Sequence, residues 1–141
     1  SIMKKNGVFR GKKIFLISDD QAVLRNVQDC VLPHDGVLFY AEAPREALGN
    51  AMAKNPDLII YDDRMPTYNG SKVMMLLKYA RPSTRILLLS LTKTPQRAID
   101  TSAQGITYSI HRESSARHIY NAIKHCLGIA SVPRVETTVP E

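Results

Sequence analysis

Short, unbroken apolar runs recur along this chain, and each is followed by polar residues and then by apolar residues at helical spacing. The runs are Ile14-Phe15-Leu16-Ile17, Val37-Leu38-Phe39-Tyr40, Leu58-Ile59-Ile60-Tyr61 and Ile86-Leu87-Leu88-Leu89, and Ile106 to Ile110 reads as a short fifth strand. A continuous run of this length suits a strand covered on both faces. Between them, Val23, Leu24, Val27, Cys30 and Val31 form a helical stripe over 21–32, and Ala47, Leu48, Ala51 and Met52 form another after Pro44. Further helices are expected over 71–80, 95–104 and 114–127. Pro33 with Gly36, Asn55-Pro56, Arg81-Pro82, Gly105 and Gly128 punctuate the elements. Five alternations of strand and helix imply an α/β fold with a parallel sheet, right-handed crossovers and helices on both faces.

A chain of 141 residues suits one domain. No apolar run approaches the roughly 20 residues of a membrane span, and no signal-peptide pattern opens the chain. Cys30 and Cys126 fall in helical segments, with a spacing that fits neither a disulfide framework nor a metal site. Reduced core thiols in a cytoplasmic protein are the expectation. The net charge is +6, but Lys4, Lys5, Arg10, Lys12 and Lys13 put +5 of it in residues 1–13. A basic arm before a near-neutral body argues against nucleic-acid binding by the body. The division expected is therefore a basic, solvated arm over 1–11, a domain over 12–128 and a proline-containing linker or tail over 129–141. Ser1-Ile2 ahead of Met3 reads as a cloning remnant.

In an open parallel sheet, the loops at the carboxyl ends of the strands meet at the topological switch point. Three of those ends carry reactive residues: Asp19-Asp20, Asp62-Asp63 and Ser90. Clustered carboxylates repel one another unless a cation lies among them, and oxygen donors suit Mg²⁺ or Mn²⁺. A cation-bound carboxylate stays ionised and can attack phosphorus. An Asp after a strand is also an ordinary helix N-cap, and either Asp19 or Asp20 can start the first helix in that way.

Over residues 12–128 the sequence resembles the receiver domains of bacterial response regulators. Asp19-Asp20 looks like the family's metal-holding acidic pair, and Asp57-Leu-Ile-Ile-Tyr-Asp62-Asp63-Arg-Met-Pro66 looks like its acceptor segment. Pro66 and Gly70 stand four and eight residues after Asp62, the family's offsets, which points to Asp62 rather than Asp63 as phosphoacceptor. The resemblance implies a flavodoxin-like doubly wound sheet of order 2-1-3-4-5 with five helices. It implies Mg²⁺ (or Mn²⁺) held by Asp19, Asp20, Asp62 and the backbone carbonyl of Arg64. Ser90 matches the hydroxyl that hydrogen-bonds the phosphoryl group, with Thr92 as a nearby alternative. Tyr108 matches the switch aromatic. The family takes phosphate from a sensor histidine kinase or phosphotransfer protein and is a switch more than an enzyme. Its response is a change on the face of the fourth helix, fifth strand and fifth helix, which can form a homodimer or engage an output domain.

One departure stands out. Three residues after the switch aromatic the family has a lysine, usually followed by proline, whereas here His111 is followed by Arg112, and the stretch from Gly105 to Tyr108 is one residue short. A neutral imidazole is a weaker partner for a phosphoryl group than an ammonium. Arg112 can substitute if the loop shifts, although strand alternation points it away. A degenerate pseudo-receiver, a phosphorylation-independent interaction module, is thus the alternative. A flavodoxin-like cofactor enzyme is a third reading, opposed by the acidic Ser18-Asp19-Asp20-Gln21 where a phosphate-cradling loop would be needed.

Overall fold

The structure, a computed structural model, describes residues 7–63, 75, 76, 78, 79, 82–91 and 106–129. Strands β1 (Lys13–Ile17), β2 (Val37–Ala41), β3 (Leu58–Asp62), β4 (Arg85–Ser90) and β5 (Tyr108–His111) form one sheet of order β2-β1-β3-β4-β5. Every neighbouring pair is parallel. The parallel α/β sheet expected from the alternation, and the doubly wound order implied by the resemblance, are those observed.

The strands divide their side chains between two cores. Ile14, Leu16, Leu58, Ile60, Leu87, Leu89 and Ile110 pack on one face with Val23, Val27, Ile119 and Ile123. These last four belong to helix α1 (Gln21–Val31) and to the C-terminal helix (Ala116–Cys126). The alternate residues Phe15, Ile17, Ile59, Tyr61, Ile86 and Leu88 pack on the other face with Ala47 of α2 (Pro44–Lys54). Two-sided burial is why β1, β3 and β4 read as unbroken apolar runs. Residues 75, 76, 78 and 79 are helical, within the third expected helix. The rest of that helix, and the fourth expected over 95–104, lie outside the described residues.

Asp20 caps α1 by accepting the Ala22 backbone N–H at 2.8 Å, and Ser115 caps the C-terminal helix by accepting that of His118 at 3.1 Å. Cys30 and Cys126 are buried on the inner faces of their helices, and burial pushes both thiols up to about 12.

Two boundaries differ from expectation. The fifth strand begins at Tyr108 and ends at His111, not 106–110. The Thr107 N–H bonds the Ile86 carbonyl while its side-chain oxygen accepts the Ile86 N–H, so the ladder opens only after Thr107. Residues 7–11, expected in the solvated arm, are drawn onto the domain. Phe9 is fully buried, with ring centroids 6.0 Å from His34 and 5.5 Å from Tyr120. Its N–H bonds the His34 carbonyl, and its carbonyl accepts the Lys12 N–H, both at 2.9 Å. Gly36 makes room: a Cβ there would lie 2.7 Å from Val31 Cγ1 and 3.0 Å from Phe9 Cβ.

His34 is buried in this aromatic cluster, and desolvation holds its imidazole below the ordinary histidine range. Asp35 opposes that shift and Lys124 adds to it. The unfolded chain therefore binds a proton that the folded chain refuses. Stability is expected to fall as pH drops below about 6.5, by at most about 1.4 kcal/mol per pH unit, until the folded pKa is reached. Denaturation midpoints between pH 7.5 and 5 measure this. A slope unchanged in His34→Phe would assign the loss to other groups.

Candidate functional site

Strand β1 has β2 on one side and β3 on the other, so the direction of winding reverses at β1, and a crevice opens above the carboxyl ends of β1 and β3. Register decides which side chains enter it. Leu16 pairs with Ile60, which places Ser18 beside Asp62 on the α1 face. Asp62 is fully buried, and its Oδ2 accepts the Ser18 hydroxyl at 2.7 Å. Ser18 Oγ in turn accepts the Asp20 N–H at 3.1 Å, fixing the turn that presents the Asp20 carboxylate.

Among the described residues, Arg112 is a cation in contact with both carboxylates. Its Nε donates to Asp62 Oδ1 and its Nη2 to Asp62 Oδ2, each at 3.1 Å, and the same Nη2 donates to Asp20 Oδ2 at 2.7 Å. The side chain is only 9% exposed. The expectation that alternation carries Arg112 away from the site is corrected here. Ile110 is paired with Leu89, and Leu89 with Asp62, all on the α1 face. Two residues beyond Ile110, Arg112 falls on that same face. Its backbone N–H extends the β4–β5 ladder by bonding the Ser90 carbonyl at 2.9 Å, and this aims the side chain along the top of the sheet. The miscount came from the one-residue shortening before Tyr108.

His111 is paired with Ser90, on the opposite face parity to Asp62. Its Nδ1 accepts the Glu113 N–H at 3.2 Å, and its carbonyl accepts both the hydroxyl and the N–H of Ser114. Ser90 is buried at the end of β4. Tyr108 is 40% exposed, its ring 4.6 Å from that of His125, so it lies outward over the C-terminal helix. Asp19 is exposed. Arg64, Thr92, Pro66 and Gly70 lie outside the described residues. Ser18 and Arg112 are the site residues that motif matching passes over. Ser18 is found only through the register of β1 against β3, two residues beyond Leu16 on the same face.

The electrostatics follow from these contacts. The Arg112 hydrogen bond, then the Ala22 N–H, holds the Asp20 carboxyl below its ordinary value. Asp62 foremost, and Asp20 with it, drive the guanidinium pKa further up, so Arg112 is charged at every accessible pH. The two carboxylates and the guanidinium together carry a formal charge of −1.

Among the described residues, no group of three or more His, Cys, Asp or Glu side chains is arranged to hold a metal ion. Asp20 and Asp62 nevertheless converge on one positive charge and offer hard oxygen donors, the kind that Mg²⁺ and Mn²⁺ take. They fit such an ion in chemistry, at a position that the guanidinium borders.

Residues 14–124 match the family model of the response regulator receiver domain. The chain belongs to that family, the receiver domains of two-component signalling. It is similar to a protein-glutamate methylesterase/protein-glutamine glutaminase of Pseudomonas syringae pv. tomato, 34% identical over 69% of this chain and 27% of that protein. It is also similar to the DNA-binding transcriptional activator DevR/DosR of Mycobacterium tuberculosis, 25% identical over 79% of this chain and 52% of the relative. The chain thus spans about half or less of these relatives. In fold it resembles the chemotaxis protein CheY4 of Vibrio cholerae, with a TM-score of 0.76 and 21% identity over 82% of this chain and 98% of that one. No helix among the described residues is long and apolar enough to cross a membrane.

Proposed function

We propose that this receiver domain accepts a phosphoryl group on Asp62 from a sensor histidine kinase or phosphotransfer protein, assisted by Mg²⁺ or Mn²⁺, and so switches a protein-interaction face. The observation that carries this reading is the buried Asp62 carboxylate at the switch-point crevice, converging with Asp20 on one cation position. Asp20 and Asp62 would hold the ion, with Asp19 and the Arg64 carbonyl as the further candidates. The ion supplies positive charge that offsets the charge building up on the transferring phosphoryl group. Ser90, buried one residue beyond the strand position paired with Asp62, is the hydroxyl proposed to bond the phosphoryl oxygen. Tyr108 and His125 lie on the surface proposed to change, which would dimerise or engage an output domain. A cytoplasmic setting suits the buried, reduced thiols.

The pseudo-receiver reading draws support from one specific feature, the two-pronged hold of Arg112 on Asp62. Oδ1 accepts Nε, while Oδ2 accepts both Ser18 and Nη2. Each of these bonds draws electron density from the carboxylate and makes Asp62 a weaker nucleophile. His111 is then either a bystander or a weak phosphoryl contact.

Incubation with Mg²⁺ and acetyl phosphate, followed by prompt intact-mass measurement, separates the two readings. The expected result is a gain of one phosphoryl group that Asp62→Asn abolishes. A wild-type protein of unchanged mass would favour the interaction module instead.

A further inference from the structure

Asp20 and Asp62 are bridged by a cation that the chain itself supplies. We propose that Arg112 competes with the divalent cation for the Asp20–Asp62 pocket, so that metal entry requires the guanidinium to leave. This inference rests on the metal-assisted phosphoacceptor reading and adds to it a built-in competitor that sets how readily the pocket fills.

Three observations support it. Arg112 Nη2 bonds both carboxylates, at 2.7 Å to Asp20 Oδ2 and 3.1 Å to Asp62 Oδ2, and so borders the point on which both converge. A dication bound to those same oxygens would bring a second positive charge against the guanidinium, at short range in a buried site where such repulsion is poorly screened. The backbone of Arg112 is pinned to the Ser90 carbonyl, whereas its side chain enters from the turn that follows β5. The long side chain can therefore swing outward about its own torsions while the sheet stays intact.

The formal −1 of Asp20, Asp62 and Arg112 taken together explains how a dication can still compete. Once Arg112 is out, two carboxylates face the incoming ion, and their mutual repulsion favours its capture. A guanidinium suits the closed state better than an ammonium, because its planar fork meets a carboxylate with two parallel N–H bonds. Apparent metal affinity is then the affinity of the open pocket reduced by the fraction of molecules that are open.

Mn²⁺ titration of the full chain, read from the electron paramagnetic resonance signal of free Mn²⁺, tests this without any phosphodonor. If the pocket is open about one time in ten or less, Arg112→Gln binds Mn²⁺ at least about tenfold more tightly than wild type. Arg112→Lys, whose point charge cannot grip both Asp62 oxygens, falls between the two and serves as the test should the Gln variant fold poorly. Equal affinities in wild type and a folded variant would overturn the competition while leaving the phosphoacceptor reading standing. No Mn²⁺ binding by any of the three would overturn both.

Discussion

Phe9→Ala is expected to cost the domain about 3–5 kcal/mol, a large share of what a single domain of this size holds. The ring has no solvent exposure and is enclosed by His34, Tyr120 and the backbone at Gly36. Truncation removes its transfer free energy and leaves a cavity whose walls are fixed. His34 and Tyr120 are themselves packed together at 4.7 Å, and Gly36 sits against Val31 with no slack. Such a site collapses poorly, which places the cost towards the upper part of the range for an aromatic deletion. Urea denaturation measures it as a lower midpoint at constant slope. A loss below about 1 kcal/mol would mean that residues 7–11 rest on the domain without contributing to its core. Appreciable destabilisation would put the domain edge several residues ahead of the start of the family match at residue 14.

That edge illustrates where the sequence was readable and where it was not. Strands β1, β3 and β4 announce themselves because two-sided burial demands continuous apolar residues, whereas the edge strands β2 and β5 are only partly buried. The stripe of Val23, Val27, Cys30 and Val31 on α1 is legible for the same reason, since all four face the core. Phe9 is different. With Val8 it makes only a two-residue apolar step in a segment dominated by charge, and its burial depends on a surface built from residues 34 and 120, far along the chain. The site divides in the same way. Asp20 and Asp62 are strand-end residues, so the topology alone brings them together. Arg112 depends on parity carried across two strand pairings, from Asp62 to Leu89 to Ile110. A motif count that slips by one residue inverts parity and selects His111 in its place. Ser18 was hidden by chemistry, since a serine between an apolar strand and an acidic pair carries no signal until its register against Asp62 is known.

The second large effect follows from the same ion pair and is measured without metal or phosphodonor. In EDTA, Arg112→Gln is expected to lose about 3–5 kcal/mol, because the fully buried Asp62 carboxylate then keeps the Ser18 hydroxyl but loses the charge that offset its desolvation. Asp62→Asn removes that buried charge, while the guanidinium retains Asp20 at 2.7 Å, so this change costs less. Combining the two should cost less than the sum, with a coupling of about 0.5–3 kcal/mol favouring the pair. Strictly additive losses across the four proteins would mean that the Asp62 charge is compensated elsewhere and that Arg112 is dispensable to it. A buried pair of this kind adds little net stability over a well-packed apolar substitute, so stability alone does not explain an arginine in this position. A hold on Asp62 that can be released does. The coupling sets the scale of that hold: about 1.4 kcal/mol would leave the pocket open roughly one time in ten, and about 2.8 kcal/mol roughly one time in a hundred. The first value suits a receiver that fills readily, and the second one that stays closed until a partner draws the guanidinium away.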